Sequence, residues 1–511
     1  MQTVATSERP ATNPFVVLGE AAPQSRAARG LVGSSPLIPG IPLEDGQQYR
    51  FHFDMSKCVG CKCCEVACAE QNNNPADVSW RRVGEVEGGI FPHTQRMHLS
   101  MGCNHCLDPA CMTGCPTEAY SKDPRTGIVL HDADSCIGCE YCIWNCPYSV
   151  PTFNEDRGVV GKCDMCHGRL ADGDAPACVD ACPSQALAIE IVDVGEWRSK
   201  YRDEANAPGL PSADDTISTT RVTLPEQLPL DAEKADFHRI KPAKPHFSLV
   251  LMTVLTQLSI AGFATTWLLS LAGGSQALRT AALVSLALGL ASFTASPLHL
   301  GRPAFAPLAI RNVKTSWLSR EILGLSAFGA AASVCAAMLL TGLPGASLIG
   351  AGASAIGIFA MYATSRIYLV PGRPAWNSRL TIADFFLTGA TLGPLLVAML
   401  GTRYDSVLLA CAAVSAVAHV LLEIWRFFGF VRTDEYEKQA TARLLSGPLA
   451  RLFLFRLGLL ATGAVGLPAV GFVGVGFALA ACGALVGRYL FFVSVVPKNM
   501  AMPFLERRAA A

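Results

Sequence analysis

The distribution of the cysteines constrains this chain more than any other feature of its sequence. All but three of the 20 cysteines lie between Cys58 and Cys182. They form four groups with a two-residue gap recurring in each, and these groups are Cys58, Cys61, Cys64 and Cys68; Cys103, Cys106, Cys111 and Cys115; Cys136, Cys139, Cys142 and Cys146; and Cys163, Cys166, Cys178 and Cys182. Without a secretory context, such spacing indicates metal ligands and not disulfides.

The gaps within the groups favour iron–sulfur clusters. The first and third groups have gaps of two, two and three residues, which is the run found in bacterial ferredoxins, where the fourth cysteine binds the neighbouring cluster. The second and fourth groups lengthen one inner gap, and a proline follows the last cysteine of every group except the first. Paired cysteines also bind structural zinc, so a zinc-binding regulatory domain on a membrane scaffold or transporter is the alternative from another class. Cys63 is interpreted as a non-ligand.

The chain beyond Pro245 is apolar in long stretches. Charged residues make up only 16% of the chain, against about 25% in ordinary soluble proteins. Eight stretches approach the length that crosses a hydrocarbon core of about 30 Å, and they are 247–272, 278–298, 317–341, 346–369, 380–400, 405–428, 450–467 and 470–496. The predicted fold class is an α+β four-cluster ferredoxin-like domain followed by an all-α membrane domain of eight transmembrane helices.

The composition changes divide the chain into five segments. Residues 1–50 are predicted to form an extended arm without an export signal, and residues 51–200 to form the cysteine domain. A proline-rich linker at 201–245 leads to the membrane domain at 246–500, and a tail follows at 501–511. The cysteine domain holds short strand-like runs at 127–130 and 186–192. Equal numbers of basic and acidic residues, 41 each, argue against a nucleic-acid partner.

Basic residues predict the orientation. Side A is defined here as the membrane face that carries the cysteine domain. With eight spans, side B receives only Arg279 and Arg403. Side A receives Arg239, Lys241, Lys244, Arg302, Arg311, Lys314, Arg320, Arg366, Arg373, Arg379, Arg426, Arg432, Lys438, Arg443, Arg451, Arg456, Arg488, Lys498, Arg507 and Arg508. Because basic loops stay in the cytoplasm, the cysteine domain is predicted on the cytoplasmic side of a bacterial inner membrane.

Three stretches carry a family resemblance. The run Cys136-Ile137-Gly138-Cys139-Glu140-Tyr141-Cys142, with Asn145-Cys146-Pro147-Tyr148 after it, resembles the four-cluster electron-transfer subunit of the dimethyl sulfoxide reductase family of molybdenum enzymes. The runs 297–303 and 315–323 resemble the eight-helix anchor subunit of that family. The resemblance covers residues from about 50 to 500, so two subunits that are usually separate look fused here.

The resemblance implies four 4Fe-4S clusters with crossed ligand sets. The first set is Cys58, Cys61, Cys64 and Cys182, and the second is Cys163, Cys166, Cys178 and Cys68. The third is Cys103, Cys106, Cys111 and Cys146, and the fourth is Cys136, Cys139, Cys142 and Cys115. Cys111 occupies the position at which some relatives lack a cysteine.

A quinone, either ubiquinone or menaquinone, is the expected membrane cofactor. His299 ends the second apolar stretch and Glu321 begins the third, both on side A, where they could bind quinone oxygens and exchange protons. The resemblance supports both residues. A basic residue of the family falls on Phe305 here, so Arg302 is the candidate to hold the head group. A plain helix-end contact of His299 is the alternative.

His419, Glu423 and Arg426 share one helix face, three and four residues apart. They are interpreted as a satisfied internal pair, with a proton path as the alternative. Within the apolar stretches, haem could use only His299 and His419, and it is not expected.

The predicted function is that of an electron-transfer and anchor component in anaerobic respiration. A separate molybdopterin-containing catalytic subunit would perform S-oxide or N-oxide reduction, or oxidation of a sulfur compound such as sulfite. The sequence has no dinucleotide-binding glycine motif and no nucleophile elbow, so catalysis by this chain is limited to quinone chemistry. A quinone-linked module of another respiratory complex is the alternative.

Overall fold

The fold comes from a computed structural model, which describes residues 37–203, 207, 210–227, 229, 233–234, 240–273 and 276–498. The predicted arm up to residue 36, the tail at 501–511, and the basic residues Arg239, Arg507 and Arg508 lie outside the described residues. The described part has two regions in contact, called here the cysteine-rich domain (37–234) and the membrane domain (240–498).

The cysteine-rich domain consists of short strands and helices. The strands are β1 (Gln47–Asp54), β2 (Arg82–Gly88), β3 (Gln95–Met101), β4 (Tyr120–Lys122), β5 (Val129–His131), β6 (Thr152–Asn154), β7 (Val159–Gly161), β8 (Leu187–Asp193), β9 (Arg221–Thr223) and β10 (Glu233–Lys234). The helices are α1 (Cys63–Gln71), α2 (Ala110–Gly114), α3 (Tyr141–Asn145), α4 (His167–Ala171), α5 (Ala177–Asp180) and α6 (Val194–Asp203).

Strand β1 is the centre of a three-stranded sheet of order β8-β1-β9. It pairs antiparallel with β8, placing Phe51 opposite Ile189, and both side chains are buried. β2 and β3 form an antiparallel pair next to β10, and the pairs β4-β5 and β6-β7 are small hairpins. Alternate apolar residues of β1 and β8 face the core, which also contains Cys64, Cys68 and Cys163.

Two predicted boundaries differ from the structure. β1 begins at Gln47, inside the predicted arm, because the strand opens with polar residues that carry no apolar signal. The predicted linker contributes β9, which pairs in parallel with β1, and Ser218 and Thr219 are fully buried. The hydroxyl of Thr219 donates to the carbonyl of Asn104 at 2.6 Å. This polar segment is therefore part of the domain, because its hydrogen bonds are satisfied inside the fold. Its polar composition made it resemble a linker.

The membrane domain is helical. Its helices are α7 (Phe247–Ser270), α8 (Gln276–Ala295), α9 (Trp317–Thr341), α10 (Ala346–Ile367), α11 (Arg379–Met399), α12 (Asp405–Arg432), α13 (Tyr436–Ser446), α14 (Ala450–Ala461), α15 (Leu467–Ala469) and α16 (Val473–Val493). A π-helical turn joins α14 to α15, and the two count as one span. Eight helices in the described residues are long and apolar enough to cross a membrane, which confirms the predicted fold class.

Small residues let the helices approach closely. α7 packs on α8, α10 and α11, while α9 packs on α10, and α14 on α16. A Cβ at Gly393 of α11 would come within 2.7 Å of Ala261 on α7. Such close contacts replace the hydrophobic effect as the source of helix association in lipid. α7 thereby joins the first four spans to the last four.

Candidate functional site

The cysteines of different groups converge in crossed sets. Cys58, Cys61 and Cys64 line a small cavity together with Cys182, which belongs to the last group. A second cavity is lined by Cys103, Cys106, Cys111 and Cys146. These two groupings are the first and third sets implied by the resemblance.

The other two sets are visible in the influence of the thiols on one another. Burial raises the pKa of Cys68 to about 12, and the charges of Cys178 and Cys166 add to the rise. Burial also raises the pKa of Cys139, with further contributions from Cys115 and Cys136. These influences agree with proximity of Cys68 to Cys166 and Cys178, and of Cys139 to Cys115 and Cys136, as the second and fourth sets require.

Backbone N–H groups point at several of these sulfur atoms. The donors at 3.3–3.5 Å from a cysteine Sγ are His105, Ala119, Gly138, Met165 and Ala186. Left-handed backbone at His105, Gly138 and Met165 turns the chain around the sulfur. N–H donors stabilise negative charge on a thiolate, so the residues present fit a cage of thiolate-bound iron.

The remaining cysteines have other surroundings. All 20 are free thiols, so disulfides do not use the ligand sets. Cys63 is exposed beside Cys61 at the start of α1. Cys335, Cys411 and Cys482 lie in membrane helices.

A large cavity lies where the fourth cysteine set meets the membrane helices. Its volume is about 390 Å³, within the usual range for small-molecule sites. The cysteine-rich domain contributes Cys139, Tyr141 and Trp144, and the membrane domain contributes His299 and Glu321. The structure therefore brings two predicted quinone-site residues and one predicted cluster ligand to the same space.

Within the described part of the chain, His299 and Glu321 each have one polar side-chain atom available for a ligand. The Nδ1 atom of His299 is hydrogen-bonded to the carbonyl oxygen of Ser296. Since a carbonyl only accepts, Nδ1 carries the proton and Nε2 of the neutral ring is left as an acceptor. Glu321 is 2% exposed, and its Oε1 has no hydrogen-bond partner among the described residues.

The structure does not bring Arg302 to the cavity lining. Its guanidinium donates to the carbonyl of Ala133 at 2.9 Å and lies 5.7 Å from the ring of Phe305. Its backbone N–H donates to Ile137 at 3.1 Å. Arg302 thus connects the two domains, in place of the predicted head-group contact.

Further hydrogen bonds fix the fourth set against the membrane domain. The side-chain amide of Asn312 donates to the carbonyl of Cys115 at 2.9 Å. The hydroxyls of Thr315 and Ser316 donate to the carbonyls of Thr113 and Gly114. Ser316 is also the N-cap of α9, the helix that carries Glu321. The same loop therefore orients a cluster ligand and a cavity residue.

Comparison with known proteins agrees with this architecture. Residues 94–192 match the family model described as a 4Fe-4S dicluster domain, and residues 241–492 match the DMSO reductase anchor subunit (DmsC). A chain of the anaerobic dimethyl sulfoxide reductase from Escherichia coli is 42% identical over 174 residues, 32% of this chain and 83% of that protein. The chain belongs to the dimethyl sulfoxide reductase family.

Two further relatives share part of this sequence. A chain of the Haemophilus influenzae anaerobic dimethyl sulfoxide reductase is 40% identical over 33% of this chain and 86% of its own length. A sulfite dehydrogenase subunit from Allochromatium vinosum is 37% identical over 27% of this chain and 67% of its own length. The protein is thus a multi-pass member of the dimethyl sulfoxide reductase family in which an iron–sulfur domain and an anchor domain are fused. The 4Fe-4S match favours iron over the zinc alternative.

Sequence reasoning missed much of a buried ion network in this anchor domain. His419 lies 2.6 Å from Asp384 of α11, and Glu423 lies 2.7 Å from Arg456 of α14 and 3.0 Å from Arg426. Arg488 of α16 also belongs to the network, at 3.4 Å from Asp384. The prediction treated Arg456 and Arg488 as loop charges, whereas both are buried within helices. A charge inside an apolar stretch was the available signal.

Proposed function

We propose that this chain carries electrons between a quinone and a separate molybdenum-containing catalytic subunit, through four 4Fe-4S clusters. The single observation behind the proposal is the cavity lined by Cys139 on one side and by His299 and Glu321 on the other. A quinone held there would lie beside a cluster ligand.

The sixteen cysteines of the four crossed sets would hold the clusters. When bound, each cluster supplies one-electron redox chemistry. The chain's own residues determine where that chemistry occurs: backbone N–H groups support the sulfurs, and burial of Cys64, Cys103 and Cys136 restricts water. Both factors influence cluster potentials.

His299 and Glu321 would handle the protons of the quinone. The free Nε2 of His299 can accept a hydrogen bond from a quinol hydroxyl, and Glu321 offers an unpartnered carboxylate oxygen. Quinol oxidation releases two protons with two electrons, so two acceptors suit the reaction. The apolar lining, which includes Leu290, Phe293 and Ile322, suits a lipid-soluble ring.

The first cysteine set would exchange electrons with the catalytic subunit. Cys61 is exposed, and Val59 and Val66 of the same segment of the chain are 65% and 58% exposed. Exposed apolar residues close to a redox centre suit a protein partner. The relatives' names include a dimethyl sulfoxide reductase and a sulfite dehydrogenase, so S-oxide reduction and sulfite oxidation are the two reactions to test.

We also propose that the cysteine-rich domain faces the cytoplasm, as the basic loops indicate. Quinone and substrate chemistry would share side A, whichever compartment it faces, and their protons would largely cancel. Proteoliposomes should therefore build no membrane potential during turnover, and a potential would contradict this shared side.

The proposal is tested by purifying the tagged chain from its native membranes. We expect iron and acid-labile sulfide for four clusters, a copurifying molybdenum protein, and either quinol-dependent reduction of dimethyl sulfoxide or sulfite-dependent reduction of quinone. Zinc without iron would refute the proposal. A complete cluster content with a partner that lacks molybdenum would establish the alternative respiratory complex.

A further inference from the structure

Arg81 is a buried cation without an acidic partner. It precedes β2 and is 2% exposed, and its guanidinium lies 4.6 Å from the ring of Phe51. Nη1 donates to the hydroxyl of Ser100 at 3.2 Å, while Nε and Nη2 have no hydrogen-bond partner in the described part of the chain. No carboxylate among these residues forms an ion pair with it. A buried charge in this situation is costly unless another charge compensates it.

Iron binding would supply the compensating charges, because the neighbouring cysteines bind iron as thiolates. Burial would lower the pKa of Arg81, but the charges of Cys178, Cys163, Cys64 and Cys68 outweigh it and raise the pKa. Cys64 belongs to the first ligand set, and the other three belong to the second. The hydroxyl of Ser100 lies 3.3 Å from the Cys64 sulfur and so connects it to Arg81. The guanidinium therefore lies between two of the proposed cluster sites.

We infer that Arg81 raises the reduction potentials of the first and second clusters. Each cluster takes up one electron from its neighbour, which is oxidised, and the added electron increases the negative charge beside the guanidinium. A nearby positive charge stabilises that reduced form, most strongly where water is excluded. Arginine suits this position because it does not lose its proton on burial, as lysine can. The inference rests on the proposed cluster assignment.

The test is an EPR-monitored redox titration of the purified chain carrying Arg81→Gln. We expect the midpoint potentials of two clusters to shift downward and those of the other two to stay unchanged. The larger shift belongs to the second cluster, because three of its ligands lie around Arg81. The matched control is Arg82→Gln, since Arg82 is exposed and contacts Thr152 instead. It should leave all four potentials unchanged.

Two further measurements keep the inference separate from the proposed function. Arg81→Lys, titrated over a range of pH, should give potentials close to those of the unaltered chain at the acidic end of the range, where the lysine is protonated; if Arg81→Gln fails to assemble, a downward shift in Arg81→Lys that persists at acidic pH overturns the inference. Unchanged potentials in Arg81→Gln with full iron content also overturn it, while the four-cluster assignment stands. Absence of four clusters from the unaltered chain would instead overturn the proposed function.

Discussion

The backbone of Gly301 in the membrane domain lies directly against the backbone of Gly158 in the cysteine-rich domain, with no room for a side chain between them. The N–H of Gly301 also donates to the carbonyl of Gly138 at 3.3 Å. Gly138 follows two residues after Cys136, and Gly301 two residues after His299. This contact therefore sets the separation between the fourth cysteine set and the cavity.

A side chain at Gly301 should weaken that connection. In Gly301→Val the new atoms would overlap Gly158, and overpacking costs about 1–3 kcal/mol. We expect slower reduction of the clusters by quinol with unchanged reduction by dithionite, measured by stopped-flow absorbance. Gly458→Ala is the control, because a Cβ there meets no atom within 4 Å and Gly458 does not line the cavity. Equal quinol rates in both variants would contradict the prediction.

Loss of the cavity's polar groups should stop quinol oxidation without removing iron. We expect His299→Ala and Glu321→Gln each to lower turnover by about 100-fold, the scale of lost proton transfer, with every cluster EPR signal retained. Leu298→Ala is the control, because Leu298 is exposed and does not line the cavity. Full turnover in both site variants would remove the cavity as the quinone site.

Replacing one proposed ligand should affect one cluster. Cys142→Ser is expected to remove or convert the fourth cluster, measured by iron content and by EPR of the reduced protein. Cys63→Ser is the matched control, since Cys63 is exposed and outside the four sets. Four unchanged signals in Cys142→Ser would show the ligand assignment to be wrong.

The ion network should stabilise the membrane domain. Asp384→Asn would leave Arg488 and Arg456 short of negative charge, and breaking a buried pair costs about 3–5 kcal/mol. That corresponds to a fall of roughly 10 °C in the unfolding temperature, measured in detergent by tryptophan fluorescence. Glu435→Gln breaks the partly exposed ion pair with Lys438 and should change the unfolding temperature little. Similar melting of the two variants would argue against the network's role.

Acid should destabilise the cysteine-rich domain partly through His131. Burial, followed by the charge of Lys162, lowers the pKa of His131 to about 4 from 6.5. The unfolded chain binds the proton first, so stability is fully present above pH 6.5 and falls as the pH drops from 6.5 toward 4. Between pH 7.5 and 5.5, the unfolding temperature of His131→Phe should fall less than that of the unaltered chain. The control is the range from pH 7.5 to 8.5, where His131 is neutral in both the folded and the unfolded state. Unfolding temperatures of the variant and the unaltered chain that run parallel over the whole pH range would contradict the prediction.

The eight spans and the four cysteine groups were predictable because both depend on local spacing, whereas the crossing of the groups was implied by the family resemblance. Apolar length alone specifies a span, and the π-helical turn between α14 and α15 does not interrupt it. His299 and Glu321 were found because each stands at the end of an apolar stretch. Arg302 was misjudged because its direction depends on Ala133, which is 169 residues away.

Other features depend on contacts that the sequence does not display. β9 joins β1 although the two strands lie near opposite ends of the cysteine-rich domain's sequence, and the polar residues before β9 resemble those of a linker. Arg81 is one of two consecutive arginines, and only the fold shows that it is buried while Arg82 is exposed. Asp384 finds His419 through the packing of α11 on α12.

The loop between the second and third spans donates its hydrogen bonds to main-chain carbonyls of Ala133, Ile137, Cys115 and Gly114. Carbonyl oxygens are present whatever the amino acid, so these hydrogen bonds do not depend on the identity of the accepting residues, whereas Gly138 and Gly158 leave no room for a side chain against Gly301. A chimera that exchanges one half for a homologue's should therefore keep its attachment only where both glycines are retained.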